Sequence, residues 1–134
     1  MFDTSSVSVV AIIVAAIVNV VIGTVWYMPA VFGRRWAELT GRPLDTSPNP
    51  MLYAIAVIGS LVTAYVLALV VNAVGAATIT DGIVTGLVVW VGFQATNQAV
   101  GGAFEGRPWM LWGINTANGA VSMAVMGAIL AAMG

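Results

Sequence analysis

Amide side chains within long apolar stretches are the residues of this sequence best suited to chemistry. They are Asn19, Gln94, Asn97, Gln98, Asn115 and Asn118. An amide in an apolar environment needs hydrogen-bond partners, because it has lost those that water provides. The set therefore predicts either a network of hydrogen bonds that holds helices together, or the polar lining of a cavity for a small solute or ion.

The spacing of these amides predicts that most of them share a surface. Gln94 and Gln98 are one helical turn apart, and Asn115 and Asn118 are separated by three positions. Each pair therefore lies on one side of its helix. Asn97 lies next to Gln98 in the same stretch, and Asn19 lies in the first apolar stretch. We expect a polar intramembrane cluster between the third and fourth apolar stretches.

Side chains that commonly carry out catalysis are missing from the sequence. The chain has no His, no Cys and no Lys, and its few carboxylates are spread over different loops. General bases, activated nucleophiles and transition-metal sites are built mainly from these residue types. We therefore expect no catalytic residues, no metal site and no cofactor, and we expect that the protein is not an enzyme.

The segments that carry the amides are apolar enough to cross a lipid bilayer. Apolar residues make up 60% of the chain and charged residues 7%, and the mean hydropathy is +1.02. A water-soluble domain of this size needs far more polar surface. The predicted spans are residues 7–28, 50–76, 82–101 and 109–133. Each is long enough for a hydrocarbon core of about 30 Å.

These spans predict an all-α fold, an integral membrane four-helix bundle that forms a single domain. A Gly-Arg-x-Trp pattern occurs at 33–36, after the first span, and at 106–109, after the third. The repetition favours two tandem helical hairpins as one arrangement of the bundle. Capping residues mark two helix starts: Asn49 precedes Pro50, and Asp81 is interpreted as the cap of the third span.

Residues 30–40 have the pattern of a short interfacial helix between spans one and two. Apolar side chains recur at helical spacing, and they are Phe32, Trp36 and Leu39. Polar side chains lie on the other faces. Arg34 and Glu38 are four residues apart and are expected to pair, and Gly41 supplies a stop. The pattern predicts a helix that lies on the membrane surface.

Aromatic and arginine side chains next to the spans predict contacts with the membrane interface. They are Trp26, Tyr27, Arg34, Arg35, Trp36, Arg107 and Trp109, and Trp112 is expected at the same interface. Such residues anchor helices at the headgroup level. The alternative is that the arginines bind anionic lipid or a partner. Every Arg follows span one or span three, which predicts cytoplasmic loops, external termini and a place in the inner (plasma) membrane.

Small residues recur every four positions in three spans and predict faces where helices pack closely. The rows are Ala11, Ala15, Asn19 and Gly23; Ala56, Ser60, Ala64, Ala68, Asn72 and Ala76; and Thr116, Ala120, Ala124, Ala128 and Ala132. A long row winds around its helix and can contact more than one neighbour. The rows therefore predict helix packing but do not fix the oligomeric state.

The partners expected from composition are membrane lipid and other membrane-embedded chains. The formal net charge is -1 at pH 7, which argues against nucleic acid. A bundle of this size encloses little space, so we expect a homo-oligomer or a larger membrane complex. Two functional hypotheses follow: a non-catalytic homo-oligomeric or accessory membrane subunit, and permeation or binding of a small solute or ion through the amide cluster.

Short motifs spread over nearly the whole chain carry a family resemblance. They are Gly23-Thr24-Val25-Trp26-Tyr27-Met28-Pro29, Phe32-Gly33-Arg34-Arg35-Trp36, Leu39-Thr40-Gly41, Ala64-Tyr65-Val66-Leu67, Asp81-Gly82, Gly86, Trp90-Val91-Gly92-Phe93, Phe104-Glu105-Gly106-Arg107-Pro108 and Asn115. This series resembles the bacterial membrane family called domain of unknown function 1761. The resemblance implies a four-helix membrane protein and supplies no reaction, ligand or catalytic residue. Where it implies an aromatic residue and a His, this chain has Asn118-Gly119.

Overall fold

The computed structural model describes residues 2–42 and 49–134, and these residues form helices and short connections without a strand. The α-helices are α1 (Val9–Trp26), α2 (Arg34–Thr40), α3 (Pro50–Ala73), α4 (Ile79–Val89), α5 (Thr96–Glu105) and α6 (Trp109–Met133). Two π-helical turns, Pro29–Gly33 and Trp90–Ala95, precede α2 and join α4 to α5. We call the continuous element Ile79–Glu105 the bulged helix.

Four helices in the described part of the chain are long and apolar enough to cross a membrane. They are α1, α3, the bulged helix and α6. The predicted all-α class with four long apolar helices is confirmed. The bulged helix extends beyond the predicted 82–101 at both ends, whereas α6 occupies 109–133 as predicted.

Capping side chains determine where the helices begin. Asn49 accepts a hydrogen bond from the Met51 N–H at 3.1 Å, and Pro50 is the first helical residue, which confirms that prediction. The prediction that Asp81 caps the bulged helix is wrong. Thr78 is the cap, because its hydroxyl accepts from the Asp81 N–H at 3.1 Å. Asp81 instead lies in the first turn, where the helix dipole favours a negative charge.

The short helix α2 differs from its prediction in one ion pair. Arg35, rather than Arg34, pairs with Glu38, at 3.0 Å between Nη1 and Oε2. Residues three apart also share a helix face, so this pairing satisfies the same rule at a different spacing. Gly41 ends the helix as predicted, with a φ of 71° that a residue without a Cβ adopts at little cost.

Consecutive long helices are antiparallel and form two hairpins. Asn72 near the end of α3 bonds to Ser6 before α1, and Ser60 bonds to Asn19 of α1. In the second hairpin the bulged helix packs along α6, and α6 also contacts α1 and α3. The arrangement agrees with the predicted tandem hairpins, and it makes α6 the central helix.

The large buried apolar cluster of this bundle lies toward one of its two ends. We call the end that contains residues 2 and 134 and the turn at 74–78 the terminal end. The opposite end, which contains residues 27–33, α2 and the turn at 106–108, is called the loop end. All members of the large buried apolar cluster lie toward the terminal end, and they are Ala11, Ile12, Ala15, Ala16, Ala64, Leu67, Ala68, Val71, Met123, Met126, Leu130 and Ala131.

The small-residue rows predicted for α1 and α3 are confirmed only at the members that belong to this cluster, whereas Ala56 of the second row is exposed. Ala15 and Ala64 are completely buried, and Ala11 and Ala68 nearly so. The row predicted for α6 is only partly correct. Thr116 is buried, Ala120, Ala124 and Ala128 are half-buried, and Ala132 is exposed. Because α6 contacts helices on several sides, its burial is not confined to one row.

Glycines bring α4 and α6 into backbone contact near the terminal end. A Cβ placed on Gly82 would collide with the Gly127 carbonyl, and one placed on Gly86 would collide with the Met123 carbonyl. Gly82 and Gly86 are four residues apart and therefore lie on one face, as in the small-xxx-small pattern of membrane helix pairs. The small-residue rows predicted from the sequence did not include Gly82 and Gly86, although their four-residue spacing is the same as that of the predicted rows.

Candidate functional site: a polar cavity between the hairpins

A polar cavity of about 390 Å³ lies between the two hairpins, toward the loop end. It is called the amide cavity here. All four long helices contribute to its wall, which consists of Asn19, Tyr27, Thr63, Gln94, Gln98, Asn115, Asn118, Gly119, Ser122, Met123 and Met126. The methionines also belong to the buried apolar cluster, so they form the floor of the cavity on the side of the terminal end.

The amides singled out in the sequence meet at this cavity, with one exception. Asn19, Gln94, Gln98, Asn115 and Asn118 line it. Asn97 does not, because it lies about 100° around the helix from the next residue, Gln98. Its side chain is exposed and donates to the Phe93 carbonyl one turn earlier, at 2.7 Å.

Two of the lining amides have partners that fix their position. Asn19 Nδ2 donates to Ser60 Oγ at 2.7 Å and links α1 to α3. The Tyr27 hydroxyl donates to Asn115 Oδ1 at 2.7 Å and links the end of α1 to α6. Such bonds between helices fix packing and orientation in an apolar environment. Both bonds join the first hairpin's α1 to a neighbour, and no side-chain hydrogen bond joins the amides of the bulged helix to those of α6 among the described residues.

Two polar atoms in the wall are buried without a partner in the described part of the chain. They are Asn118 Oδ1 and Ser122 Oγ. They lie one turn apart on α6 and therefore on the same face. A buried oxygen without a hydrogen bond is costly, by about 1–3 kcal/mol. Both residues line the amide cavity, so these two oxygens are the unpaired polar groups next to it. The sequence analysis missed Ser122, although its four-residue spacing from Asn118 marks it.

The π-helical turn positions part of the wall. A π turn inserts an extra residue and changes the direction of the side chains that follow it, and such turns are frequent at functional sites. Here it contains Trp90 and Gln94 and directs both toward α6. Trp90 Nε1 donates to the Thr116 carbonyl at 2.7 Å, and Gln94 Oε1 packs against Gly119.

Indole groups join the helices around the cavity. Trp26 Nε1 donates to the Ile114 carbonyl at 2.9 Å, and Trp112 Nε1 donates to the Ala95 carbonyl at 3.0 Å. The sequence analysis placed both tryptophans at the membrane interface. Their N–H groups bond to neighbouring helices, and their placement at the interface stays a prediction. Trp109, in contrast, is 62% exposed.

The other residues predicted to contact lipid lie at the loop end. Arg34 and Arg35 are exposed. Trp36 is half-buried and packs edge-on against the Tyr27 ring, with 6.0 Å between ring centroids. Arg107 pairs with Glu105 at 2.9 Å. Their contact with lipid headgroups stays a prediction.

A second, smaller cavity of about 230 Å³ lies at the loop end. We call it the loop-end cavity. It is lined by Gln98, Gly101, Gly102, Glu105, Arg107, Pro108, Trp109, Leu111, Trp112 and Asn115. Gln98 and Asn115 therefore contribute to both cavities.

A comparison with protein-family models matches residues 10–131 to the family described as "protein of unknown function (DUF1761)". The chain belongs to the DUF1761 family. The resemblance read from the motifs is thus confirmed. No curated protein and no solved structure matches the chain.

One departure from the DUF1761 motif series falls in the cavity wall. Gly119 is where the resemblance implies a His. A Cβ at this position would lie 3.3 Å from Trp90 Cδ1 and would press on Gln94 Oε1. The absent side chain therefore leaves the space that the Gln94 amide occupies, and an amide stands in the wall where an imidazole is implied.

The amide cavity of this DUF1761 member is polar but uncharged. Among the residues that the structure describes, its wall includes no carboxylate, guanidinium, amine, imidazole or thiol. It offers amide and hydroxyl groups, which both donate and accept hydrogen bonds. This arrangement can hold neutral polar groups, and it supplies no fixed countercharge for an ion.

Proposed function

We propose that this DUF1761 protein is a non-catalytic integral membrane protein that binds a small uncharged polar solute in the amide cavity. The observation that carries the proposal is the pair of buried oxygens without partners, Asn118 Oδ1 and Ser122 Oγ. A hydroxyl or amide of a solute would bond to both and remove the cost of leaving them unpaired.

The membrane placement in this proposal is supported by the outward-facing side chains of the long helices. On α3 these are apolar and more than half exposed at Met51, Leu52, Ile55, Ile58 and Val62. Lipid chains are the environment in which such a surface is stable. By the positive-inside rule, the arginines at the loop end support a cytoplasmic loop end and external termini as part of the proposal.

The uncharged character of the wall supports a neutral solute over an ion. An ion that enters an apolar environment must exchange its hydration shell for several close ligands or a countercharge. The cavity leaves two buried oxygens free and has no charged group. The non-catalytic part of the proposal is supported by the described wall, which has hydroxyl groups but no His, Lys, Cys or carboxylate that would activate them. Self-association and assembly with a larger complex stay predictions.

Thermal unfolding of the purified protein in detergent tests the proposal. Glycerol, urea and acetamide serve as neutral probes, and potassium chloride serves as the ionic comparison. A ligand that binds only the folded state raises its stability in a saturable way. We expect at least one neutral probe to raise the Tm of the wild type and of Asn97→Leu, and to have no saturable effect on Asn118→Leu.

Asn97→Leu is the matched control, because it removes an amide from the same membrane depth without touching the cavity wall. The proposal is contradicted if no neutral probe distinguishes the wild type from Asn118→Leu, or if potassium chloride alone does so.

A further inference from the structure

We infer that the amide cavity opens sideways between α3 and the bulged helix, and that its ligand is a membrane-soluble amphiphile with an uncharged hydroxyl or amide group. The inference rests on the proposed function and deepens it, because the small polar solute becomes the polar end of a larger molecule. In this arrangement the polar end lies in the cavity, and the apolar chain extends through the opening into lipid.

The two hairpins separate at the side of the cavity that lies between α3 and the bulged helix. In the described structure, the π-helical turn Trp90–Ala95 and α5 pack against α6, and neither packs extensively against α1 or α3. The bulged helix contacts α3 mainly through α4, its part nearest the terminal end. Thr63 of α3 nevertheless lines the cavity together with Gln94 and Gln98 of the bulged helix. We call the gap between these side chains the side opening.

The side opening lies about halfway along the long helices. Thr63 is near the middle of α3 (Pro50–Ala73), and Gln94 is near the middle of the bulged helix. In a bilayer whose hydrocarbon core is about 30 Å thick, the middle of a spanning helix faces lipid chains rather than headgroups or water. A molecule that enters here must dissolve in hydrocarbon, which charged molecules do poorly.

The α3 side of the opening offers space and apolar contact but no free hydrogen-bond donor. Gly59, Thr63 and Val66 share one face of α3, because successive members are four and three positions apart. A Cβ on Gly59 would meet no atom within 4 Å, and Val66 is 50% exposed. The Thr63 hydroxyl donates to the Gly59 carbonyl at 2.9 Å. This surface therefore suits an alkyl chain better than a polar group.

The polar groups that a ligand needs lie inside, at the same depth as the opening. Ser122 is 4% exposed and lies near the middle of α6, and its Oγ and Asn118 Oδ1 have no partner among the described residues. A ligand hydroxyl can donate to Asn118 Oδ1 and accept from Ser122 Oγ. A hydroxyl dissolved in hydrocarbon has no such partners, so it gains both bonds when it enters the cavity. A charged group gains no countercharge from this wall.

Photocrosslinking in lipid nanodiscs tests the inference. The probe is hexadecanol that carries a photoreactive diazirine on the chain next to its hydroxyl group, and crosslinked peptides are identified by mass spectrometry. Two charged probes have the same chain and diazirine, with a sulfate ester or a trimethylammonium group in place of the hydroxyl. Unlabelled hexadecanol and hexadecane serve as competitors, because they differ only in the polar group.

We expect the hexadecanol probe to crosslink saturably to residues of the cavity wall, and to be displaced by hexadecanol but not by hexadecane. Asn118→Leu should lower the apparent affinity about tenfold, because the ligand loses a hydrogen bond in an apolar environment. Ser122→Ala is the second variant should Asn118→Leu fail to fold. Asn97→Leu, whose amide lies outside the cavity wall, should behave like the wild type.

Narrowing the side opening tests the route. Thr63→Phe places a ring in the opening and should weaken binding of the hexadecanol probe about tenfold, whereas a short neutral probe that raises the Tm of the wild type should still raise it. Val62→Phe is the matched control, because Val62 is next to Thr63, is 58% exposed and does not line the cavity. The control should leave both measurements unchanged.

Any of four results would overturn the inference. The first three are crosslinking that does not saturate, equal crosslinking by a charged probe, and equal effects of Thr63→Phe and Val62→Phe. The fourth uses the absence of Cys from the chain: disulfide dimers of Thr63→Cys that form more readily than those of Val62→Cys would mean that a second copy covers the opening.

The two proposals fail in different ways. If a short neutral probe raises the Tm but hexadecanol does not bind saturably, the proposed function stands and the amphiphile is rejected. If neither binds, both proposals are rejected.

Discussion

The terminal half and the loop half of this bundle consist of the same helices but are held together differently. Toward the terminal end, alanines and glycines allow α1 to approach α3 and α4 to approach α6, and the interior is apolar and filled. Toward the loop end, indole and amide donors reach neighbouring helices, and the interior contains two cavities.

The difference teaches how a small membrane bundle can hold a polar site. Lipid chains are as apolar as the helices, so close packing and hydrogen bonds must replace the hydrophobic effect in holding helices together. The terminal half relies on packing and leaves no space. The loop half relies on directional bonds at fixed points, which permits space between them. Stability is therefore expected to reside mainly in the first half and ligand recognition in the second.

The largest expected effect comes from filling the glycine contact of the terminal half. Gly86→Leu places a side chain where the Met123 carbonyl lies, so the helices must separate. We expect a loss of about 3 kcal/mol or more in the free energy of unfolding, measured by denaturant titration in mixed micelles. Gly59→Leu, with open space around its Cβ, should change it by less than about 0.5 kcal/mol. Equal effects of the two variants would contradict the claim that close helix packing stabilises the terminal half.

The next effect has the opposite sign and lies in the loop half. Asn118→Leu removes the buried oxygen that has no partner and should raise the free energy of unfolding by about 1–2 kcal/mol in the absence of solute. Binding sites commonly contain polar residues that lower the stability of the protein but are needed for its function. If Asn118→Leu destabilises the solute-free protein in the same titration, the amide has a structural partner and the cavity loses its main support.

The third effect measures one directional bond. Trp90→Phe keeps an aromatic ring but removes the donor to the Thr116 carbonyl. We expect a loss of about 1 kcal/mol. Trp109→Phe, at the mostly exposed indole of the same half, serves as the control and should be nearly neutral. A Trp90→Phe variant as stable as this control would mean that indole bonds do not hold the loop half together.

The smallest expected effect comes from a polar contact outside the packed region. Asn72 donates to Ser6 at 3.1 Å near the terminal end, in an exposed position. Water can replace such a bond, so Asn72→Ala should change the free energy of unfolding by less than about 0.5 kcal/mol. Its control is Asn19→Ala, which breaks a shorter bond to the buried Ser60 and should cost more. A reversed order would mean that burial does not set the value of these bonds.

Much of this fold was predictable because each helix carries its own signal. The lengths of the apolar stretches predicted the four long helices, and Asn49 followed by Pro50 predicted where α3 begins. The start of the bulged helix was misplaced because a Thr and an Asp within the same turn are both good caps. Thr78 becomes the cap because its hydroxyl reaches the Asp81 N–H, a contact that depends on backbone geometry rather than on residue type.

The sequence predicted which residue types form the candidate site, but not which way each side chain points from its helix. Spacing grouped the amides, and five of the six meet at the cavity. Asn97 lies about 100° around the helix from Gln98, so its exclusion could have been predicted from spacing, whereas the direction of Gln94 depends on the π turn that begins at Trp90. The tryptophans near the span ends were likewise ambiguous, since a ring that favours the interface also favours a carbonyl on a neighbouring helix.

Hydrogen–deuterium exchange of the protein in lipid nanodiscs tests the contrast between the two halves most directly. Helix α6 runs through both, so its peptides compare the halves within one element. We expect the backbone amides of residues 109–122, beside the cavities, to exchange about tenfold faster or more than those of residues 123–133, because exchange requires access of water. Equal rates, or faster exchange in residues 123–133, would contradict the claim that water reaches the loop half and is excluded from the terminal half.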